Sequence, residues 1–254
     1  MNIKIPFLLF IFSITLFSCN AHQISAGIKS PPVDYFVKIF KEIKITRCPK
    51  NNPDKKKCEK QGFVSTGSGL IIKISENKRV VLSAGHVCRD FSISEEDSKF
   101  NYHWVETVML MDRDKGLHQG HVILAKPGDS FSADLCTLFS PTLESRFKIK
   151  SNIRLSYRPP KIGEDIYYIG APRGIFHPPT SLIIKGVFSG NINRFTALTS
   201  APAAPGSSGS VILSMNNKVY GVLFAVHPDF PVASIITSHK ETENFIYETL
   251  LLLR

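Results

Sequence analysis

Between residues 35 and 236 the sequence breaks into short β-rich runs separated by glycine, proline and other turn residues. That spacing restricts the chain to a barrel or a sandwich. The runs fall at 69–74, 79–82, 107–111, 121–125 and 135–139, and then, beyond the Pro159, Pro160 pair, at 165–170, 181–189, 195–200, 211–214, 219–225 and 232–236. The stretch 35–46 is ambiguous. Phe36, Ile39, Phe40 and Ile43 have helical spacing, whereas the pairs Val37/Ile39 and Ile43/Ile45 alternate as in a strand. A strand fits better, because the next run is β-rich and Cys48 and Cys58 bracket a polar loop that would make the two a hairpin. A shift toward Pro, Gly and Ser after Pro159 places a boundary between two sub-barrels at 141–160. The period changes only at the end. Ser238 followed by Glu241 has the form of a capping box, and Phe245, Ile246, Leu250 and Leu253 form a helical stripe.

The chain has 254 residues, enough for one large all-β unit or two small domains, and its 43% apolar and 20% charged content is that of a globular protein. Residues 1–18 read as a targeting segment. Lys4 supplies a short basic start, and 5–17 is almost wholly apolar but too short for a membrane span of about 20 residues. The segment ends Leu16-Phe17-Ser18-Cys19, which is similar to a bacterial lipobox with Cys19 as the lipidated first residue; ordinary cleavage near Ala21 or Ala26 is the alternative. Either way the protein is expected to be exported: periplasmic, anchored at the cell surface as a lipoprotein, or secreted. Export permits disulfides among Cys48, Cys58, Cys88 and Cys136, and four cysteines allow three connectivities. Cys48 and Cys58 would staple the base of the loop between them. Cys88 and Cys136 lie two residues after His86 and Asp134, so they could pair if those two side chains meet. The net charge of +10 is partly local, with Lys50, Lys55, Lys56, Lys57 and Lys60 in one loop. No interleaved aromatics or nucleic-acid motif accompany it, so a solvated loop tip is expected and no nucleic-acid partner.

Three turns carry reactive side chains in a fixed order: Leu82-Ser83-Ala84-Gly85-His86, then Ala133-Asp134-Leu135, then Pro205-Gly206-Ser207-Ser208-Gly209-Ser210. A serine hydroxyl attacks a carbonyl only if a neutral imidazole takes its proton, and a carboxylate must orient that imidazole. Backbone N–H groups must also face the oxyanion that forms, and a glycine-flanked loop can turn them inward. His103, His118 and His121 lack the small-residue turn of His86. Asp112, Asp114 and Asp129 lie between the same landmarks, but only Asp134 heads an apolar strand where a carboxylate can be buried against imidazole. No His/Asp/Cys cluster has metal-ligand spacing, and neither a metal nor another cofactor is expected.

These segments together resemble the trypsin-like serine peptidases of the chymotrypsin-fold clan, in the style of the Deg/HtrA and glutamyl-endopeptidase branches. The further matching pieces are Thr66-Gly67-Ser68-Gly69-Leu70-Ile71-Ile72, Asp134-Leu135-Cys136-Thr137-Leu138, Ile169-Gly170-Ala171-Pro172-Arg173-Gly174, Gly186-Val187-Phe188-Ser189-Gly190 and Tyr220-Gly221-Val222. The resemblance implies an all-β fold: two six-stranded antiparallel β-barrels packed with the active site in the cleft between them, plus a C-terminal helix. The domains would be a leader at 1–18, an N-terminal barrel at 30–150 with His and Asp, a C-terminal barrel at 151–236 with Ser, and a helix at 238–254. It implies that His86 is the general base, Asp134 its orienter and Ser208 the nucleophile in place of its rival Ser207. The N–H groups of Gly206 and Ser208 would form the oxyanion hole. Protein or peptide would be the substrate, hydrolysed through an acyl-enzyme; a binding protein on the same scaffold and an esterase are the alternatives. Membrane contact would be limited to the lipid anchor.

The sequence departs from the family pattern in places. Ser210 stands where many members have glycine, as in the glutamyl endopeptidases. No Ile-Val-Gly-Gly-type mature terminus is present, which argues against activation by an inserted N-terminus, and no room is left for a PDZ domain. Pro202 would sit near the floor of the specificity pocket, with Leu223, Phe224, Ala225 and Val226 on its wall. Leu223 falls where glutamyl endopeptidases place histidine, and Val226 where glycine is common, so a small or apolar P1 residue is expected.

Overall fold

The computed structural model describes residues 30–50, 58–89, 100–128, 132–146, 152–227 and 230–254. The leader, Cys19, Lys55 to Lys57 and Asp129 lie outside the described residues. A 3-10 turn at Val33–Tyr35 leads into β1 (Phe36–Pro49), β2 (Glu59–Lys73) and β3 (Arg79–Ser83). After the short helix α1 (Gly85–Cys88) come β4 (Phe100–Met111), β5 (Leu117–Lys126) and β6 (Leu135–Phe139). These six strands close a barrel in the order β1-β2-β3-β6-β5-β4, every pair antiparallel.

Helix α2 (Pro141–Arg146) and the two-residue β7 (Arg154–Leu155) precede the second barrel. That barrel is built from β8 (Asp165–Gly170), β9 (Leu182–Asn191), β10 (Thr196–Thr199), β11 (Val211–Ser214), β12 (Lys218–His227) and β13 (Phe230–Thr237). The sheet order β11-β8-β9-β10-β13-β12 is closed by pairing of β11 with β12. Strand β7 adds to β12 in parallel. The fold is therefore two six-stranded antiparallel barrels followed by one C-terminal helix, α3 (His239–Leu252).

Strand β1 shows how the sequence drives this. Val37, Ile39, Ile43 and Ile45 alternate inward and are buried, and the one polar member of that row, Lys41, is buried too, its Nζ donating to the His86 carbonyl at 2.8 Å. The ambiguous 35–46 stretch is thus a strand from Phe36 onward. Strand β2 begins ten residues before the apolar run at Gly69, because its first half pairs β1 from Arg47↔Glu59 upward with side chains in solvent. The Cys48–Cys58 disulfide closes the tip of this ribbon, with the two half-cystines 10 residues apart.

One core cluster runs through both barrels and the helix, from Phe36, Leu70 and Leu135 to Tyr167, Val211 and Phe245. A smaller one fills the second barrel around Ile166, Tyr168, Ile212 and Leu223. Helix α3 begins as its sequence suggests, with Ser238 Oγ accepting from Glu241 N at 3.2 Å. The capping box is one-sided, however, because Ser238 N donates to Phe195 O at 2.7 Å instead of to the glutamate.

A polar cluster links the entry to β8 with β12 across β11. Glu164 accepts two bonds from Arg158, at 2.8 and 2.9 Å, one from Lys161 N and one from the Tyr220 hydroxyl. The Arg158 guanidinium, helped by the other donors, holds the Glu164 carboxyl down at about 2, whereas burial and the glutamate push the Tyr220 phenol up to about 12. A carboxyl lowered on folding stabilises the fold above its ordinary value of 4.5, and that stabilisation is lost as pH falls through about 2. Because Arg158 is solvent-screened, Glu164→Gln is expected to lose about 1 kcal/mol or less at neutral pH. Urea titrations of both proteins at pH 7, 4 and 2 check this, with the difference expected to be smallest at the lowest pH.

Candidate active site

Strand β3 ends at Ser83, and the chain turns at once into α1, which places His86 at the barrel rim. Asp134 immediately precedes β6, and β6 pairs with β3 through Ser83↔Cys136, so the two strand ends deliver the imidazole and the carboxylate to one point. Asp134 is 1% exposed and His86 about one-third exposed. The carboxylate grips the histidine twice: Oδ2 is hydrogen-bonded to Nδ1, and Oδ1 accepts from the His86 backbone N at 2.8 Å. Gly128 N donates to Oδ1 as well, at 3.3 Å. A carboxylate on Nδ1 keeps the proton there, so Nε2 is the nitrogen left to act as a base. Gly85 makes the approach possible, since a Cβ there would lie 2.6 Å from Asp134 Oδ1. A second disulfide, Cys88–Cys136, joins α1 to β6 directly behind this pair.

The serine loop is fixed carbonyl by carbonyl. Pro205 O accepts from Arg173 N at 2.6 Å, Gly206 O from Ser68 Oγ at 2.8 Å, Ser207 O from Ser210 N at 2.9 Å and Ser208 O from Ser68 N at 2.8 Å. In a trans peptide the N–H points opposite to its carbonyl. The amides of Ser207, Gly209 and Ser210 donate to Ala204 O, Leu223 O and Ser207 O. The amides of Gly206 and Ser208 have no backbone acceptor among the described residues, and their peptides are held by their carbonyls on the far side. Two N–H groups on either side of Ser207, with no acceptor of their own among the described residues, can bind an oxyanion.

Two positive-φ glycines shape the loop, Gly206 at +93° and Gly209 at +89°. A Cβ on Gly209 would overlap Ser68 O and Ser83 Oγ and lie 3.1 Å from Ala84 N, so the loop is pressed against the turn that carries His86. A Cβ on Gly67 would lie 2.6 Å from Val87 and 3.1 Å from Ser208 O, which puts Ser208 beside the same turn. Ser208 is half-buried, whereas Ser207 is fully buried with its Oγ accepting from Ala204 N at 3.3 Å. Gly209→Ala is expected to destabilise the protein by about 3 kcal/mol or more, from the φ and the overlap together. A thermal melt checks it; a variant as stable as the parent would contradict this packing.

The competing aspartates are placed elsewhere. Asp112 is buried against His118 Nε2 at 2.9 Å and accepts from Asp114 N and Gly116 N, so it anchors the β4–β5 turn. Asp114 is exposed on that turn.

Of the residues assigned to a pocket, Pro202 is exposed and its carbonyl accepts from the Tyr168 hydroxyl at 2.6 Å. Leu223 lies inside the second core and Phe224 inside the first, while Ala225 and Val226 are half-buried at the surface. Leu223 meets the site through its backbone, accepting from Gly209 N and donating to Ser210 O. Ser68 and Arg173 fall inside segments that resemble the family but carry no role there, and Lys41 falls in none. The one signal for Ser68 was its place between two glycines. Among the described residues no three His, Cys, Asp or Glu side chains group as metal ligands.

No family model and no curated protein matches this chain. Solved structures do. The active form of the Rv3671c protease from M. tuberculosis superposes with a TM-score of 0.53 at 17% identity, covering 80% of this chain and 78% of that one. The serine endoprotease from Yersinia pestis gives 0.53 at 14% identity, covering 85% of this chain and 63% of its own. An inactive form of the Rv3671c protease gives 0.51 at 17% identity, with 82% and 88% covered. At these identities the likeness establishes the fold.

Proposed function

We propose that this two-barrel protein of the chymotrypsin fold is an exported serine endopeptidase. The observation that carries the reading is the His86 imidazole, gripped twice by buried Asp134, on a turn against which Gly209 packs the Ser208 loop. Ser208 Oγ attacks the scissile carbonyl carbon while His86 Nε2 takes its proton. The carbonyl π electrons move onto oxygen, and that oxyanion is met by the N–H groups of Gly206 and Ser208. The tetrahedral adduct collapses, the C–N bond breaks, and the imidazolium gives its proton to the departing amine. Water then attacks the acyl-enzyme with His86 again as base, releasing the acid and restoring Ser208. Asp134 holds the tautomer and stabilises the imidazolium.

Peptide bonds are the proposed substrate because the structural neighbours are serine proteases. The surface-reaching Ala225 and Val226, with uncharged Pro202, favour a small or apolar P1 residue. Two disulfides, one of them fully buried, suit an oxidising compartment. Mass spectrometry of the N-terminus of the mature protein separates lipidated Cys19 from cleavage near Ala21 or Ala26.

Digestion of a mixed peptide library tests the function and the specificity together. Internal cleavage after Ala, Val or Leu is expected, lost in Ser208→Ala. Cleavage confined to Lys, Arg or Glu would overturn the specificity. Hydrolysis of simple esters with intact peptides would replace the peptidase reading with an esterase.

A further inference from the structure

We propose that Ser68, on the first barrel, is a positioning residue that holds the oxyanion-binding amides of the second barrel in place. The inference rests on the endopeptidase reading of the site. Ser68 is wholly buried on β2 and every polar group it has is used. Its Oγ donates to Gly206 O at 2.8 Å and accepts from Ala171 N at 3.1 Å. Its N donates to Ser208 O at 2.8 Å, and its O accepts from Ser83 Oγ at 2.8 Å. One residue thus ties the serine loop, the 171–174 turn and the strand leading to His86 together.

The two amides without an acceptor among the described residues belong to peptides 205–206 and 207–208. Ser68 holds peptide 206–207 through its hydroxyl and peptide 208–209 through its N–H, so peptide 207–208 is bracketed on both sides. Peptide 205–206 is held by Arg173 N–H, on the turn whose Ala171 N–H docks on the same hydroxyl. The restraint matters because Gly206, at φ +93°, can rotate its flanking peptides more freely than any other residue type. A rotated peptide would point a carbonyl at the oxyanion in place of an N–H. Gly67 beside it lets β2 come close to the serine loop, since a Cβ there would be 3.1 Å from Ser208 O. The two amides are therefore oriented by contacts that β2 of the first barrel makes with the second.

The test compares the mature protein with Ser68→Ala, which removes both hydroxyl bonds and keeps the backbone bond to Ser208. Removing an oxyanion donor outright costs about 10²–10³ in kcat, so loosening both is expected to lower kcat about 10- to 100-fold with KM nearly unchanged. The rate of labelling by a fluorophosphonate, whose P–O also occupies the hole, should fall in parallel. Ser68→Cys keeps the shape and a weak donor, and should lie between the two; it also carries the test if the alanine variant melts early. Ser83→Ala, one bond further out, should fall much less. Ser68→Ala that labels and turns over like the parent overturns the inference and leaves the endopeptidase reading intact. The same holds if the losses follow thermal stability across the three variants. A parent protein that takes no probe overturns both.

Discussion

Ser208→Ala and His86→Ala are each expected to lower peptide hydrolysis by about 10⁵–10⁶ in kcat, and the double variant is expected to do no worse than either alone. The non-additivity follows from the geometry. A hydroxyl without its base and a base without its hydroxyl are equally unable to pass the proton, so removal of the second partner costs nothing more. Residual turnover should come from the Gly206 and Ser208 amides and from substrate binding. Asp134→Asn should cost about 10⁴, because an amide in that place reverses the hydrogen-bond polarity on Nδ1 and puts the imidazole proton on Nε2. Of these four variants, all should melt near the parent temperature except Asp134→Asn, because the buried carboxylate also binds His86 N and Gly128 N. Single-turnover kinetics on a peptide ester would check the series. Equal activity of Ser208→Ala and the parent would place the nucleophile elsewhere.

Replacing Cys88 and Cys136 together by alanine is expected to cost about 4 kcal/mol, the chain-entropy value for cross-linked residues 48 apart in sequence. The half-cystines are fully buried, so the lost sulfurs leave a small void as well. For a chain of this size the melting point should drop by about 8–16 °C. The Cys48–Cys58 pair closes a loop with 10 residues of separation at the tip of an exposed ribbon, and its removal should cost less, about 3 kcal/mol on the same scale. The functional consequence differs too. Cys88 and Cys136 sit two residues beyond His86 and Asp134, so their bridge pins the helix carrying the imidazole to the strand carrying the carboxylate. Probe labelling of the alanine pair should begin to fail at the lowered melting range, while that of the Cys48/Cys58 pair should hold to a higher temperature. Urea denaturation under non-reducing conditions gives the two costs; a larger loss from the Cys48/Cys58 pair would contradict the assignment.

Where a strand is buried it could be read from the sequence. The runs at 135–139, 165–170 and 211–214 coincide with β6, β8 and β11 because both faces of those strands are covered and their residues are nearly all apolar. The first half of β2 and the start of β4 were missed for the converse reason. Residues such as Glu59, Lys60 and Gln61 extend a ribbon into solvent, where backbone pairing of β2 and β4 with β1, not burial, fixes the conformation. Helices α1 and α2 are too short to show a period, and β7 is two residues whose pairing with β12 is set by tertiary contact. In the site, His86, Asp134 and Ser208 were visible because their chemistry needs those side chains. The loop's restraints were not, because they are backbone carbonyls taken up by Ser68 and Arg173 from far along the chain. Leu223 shows a related gap: alternation along β12 turns its side chain into the barrel core, and only its backbone reaches the serine loop.

The most direct measurement is fluorophosphonate labelling of the purified mature protein beside Ser208→Ala and His86→Ala. Stoichiometric labelling of the parent at Ser208, found by peptide mapping and absent from both variants, is the predicted result. A well-folded parent that takes no label, or takes it at another serine, would contradict the account.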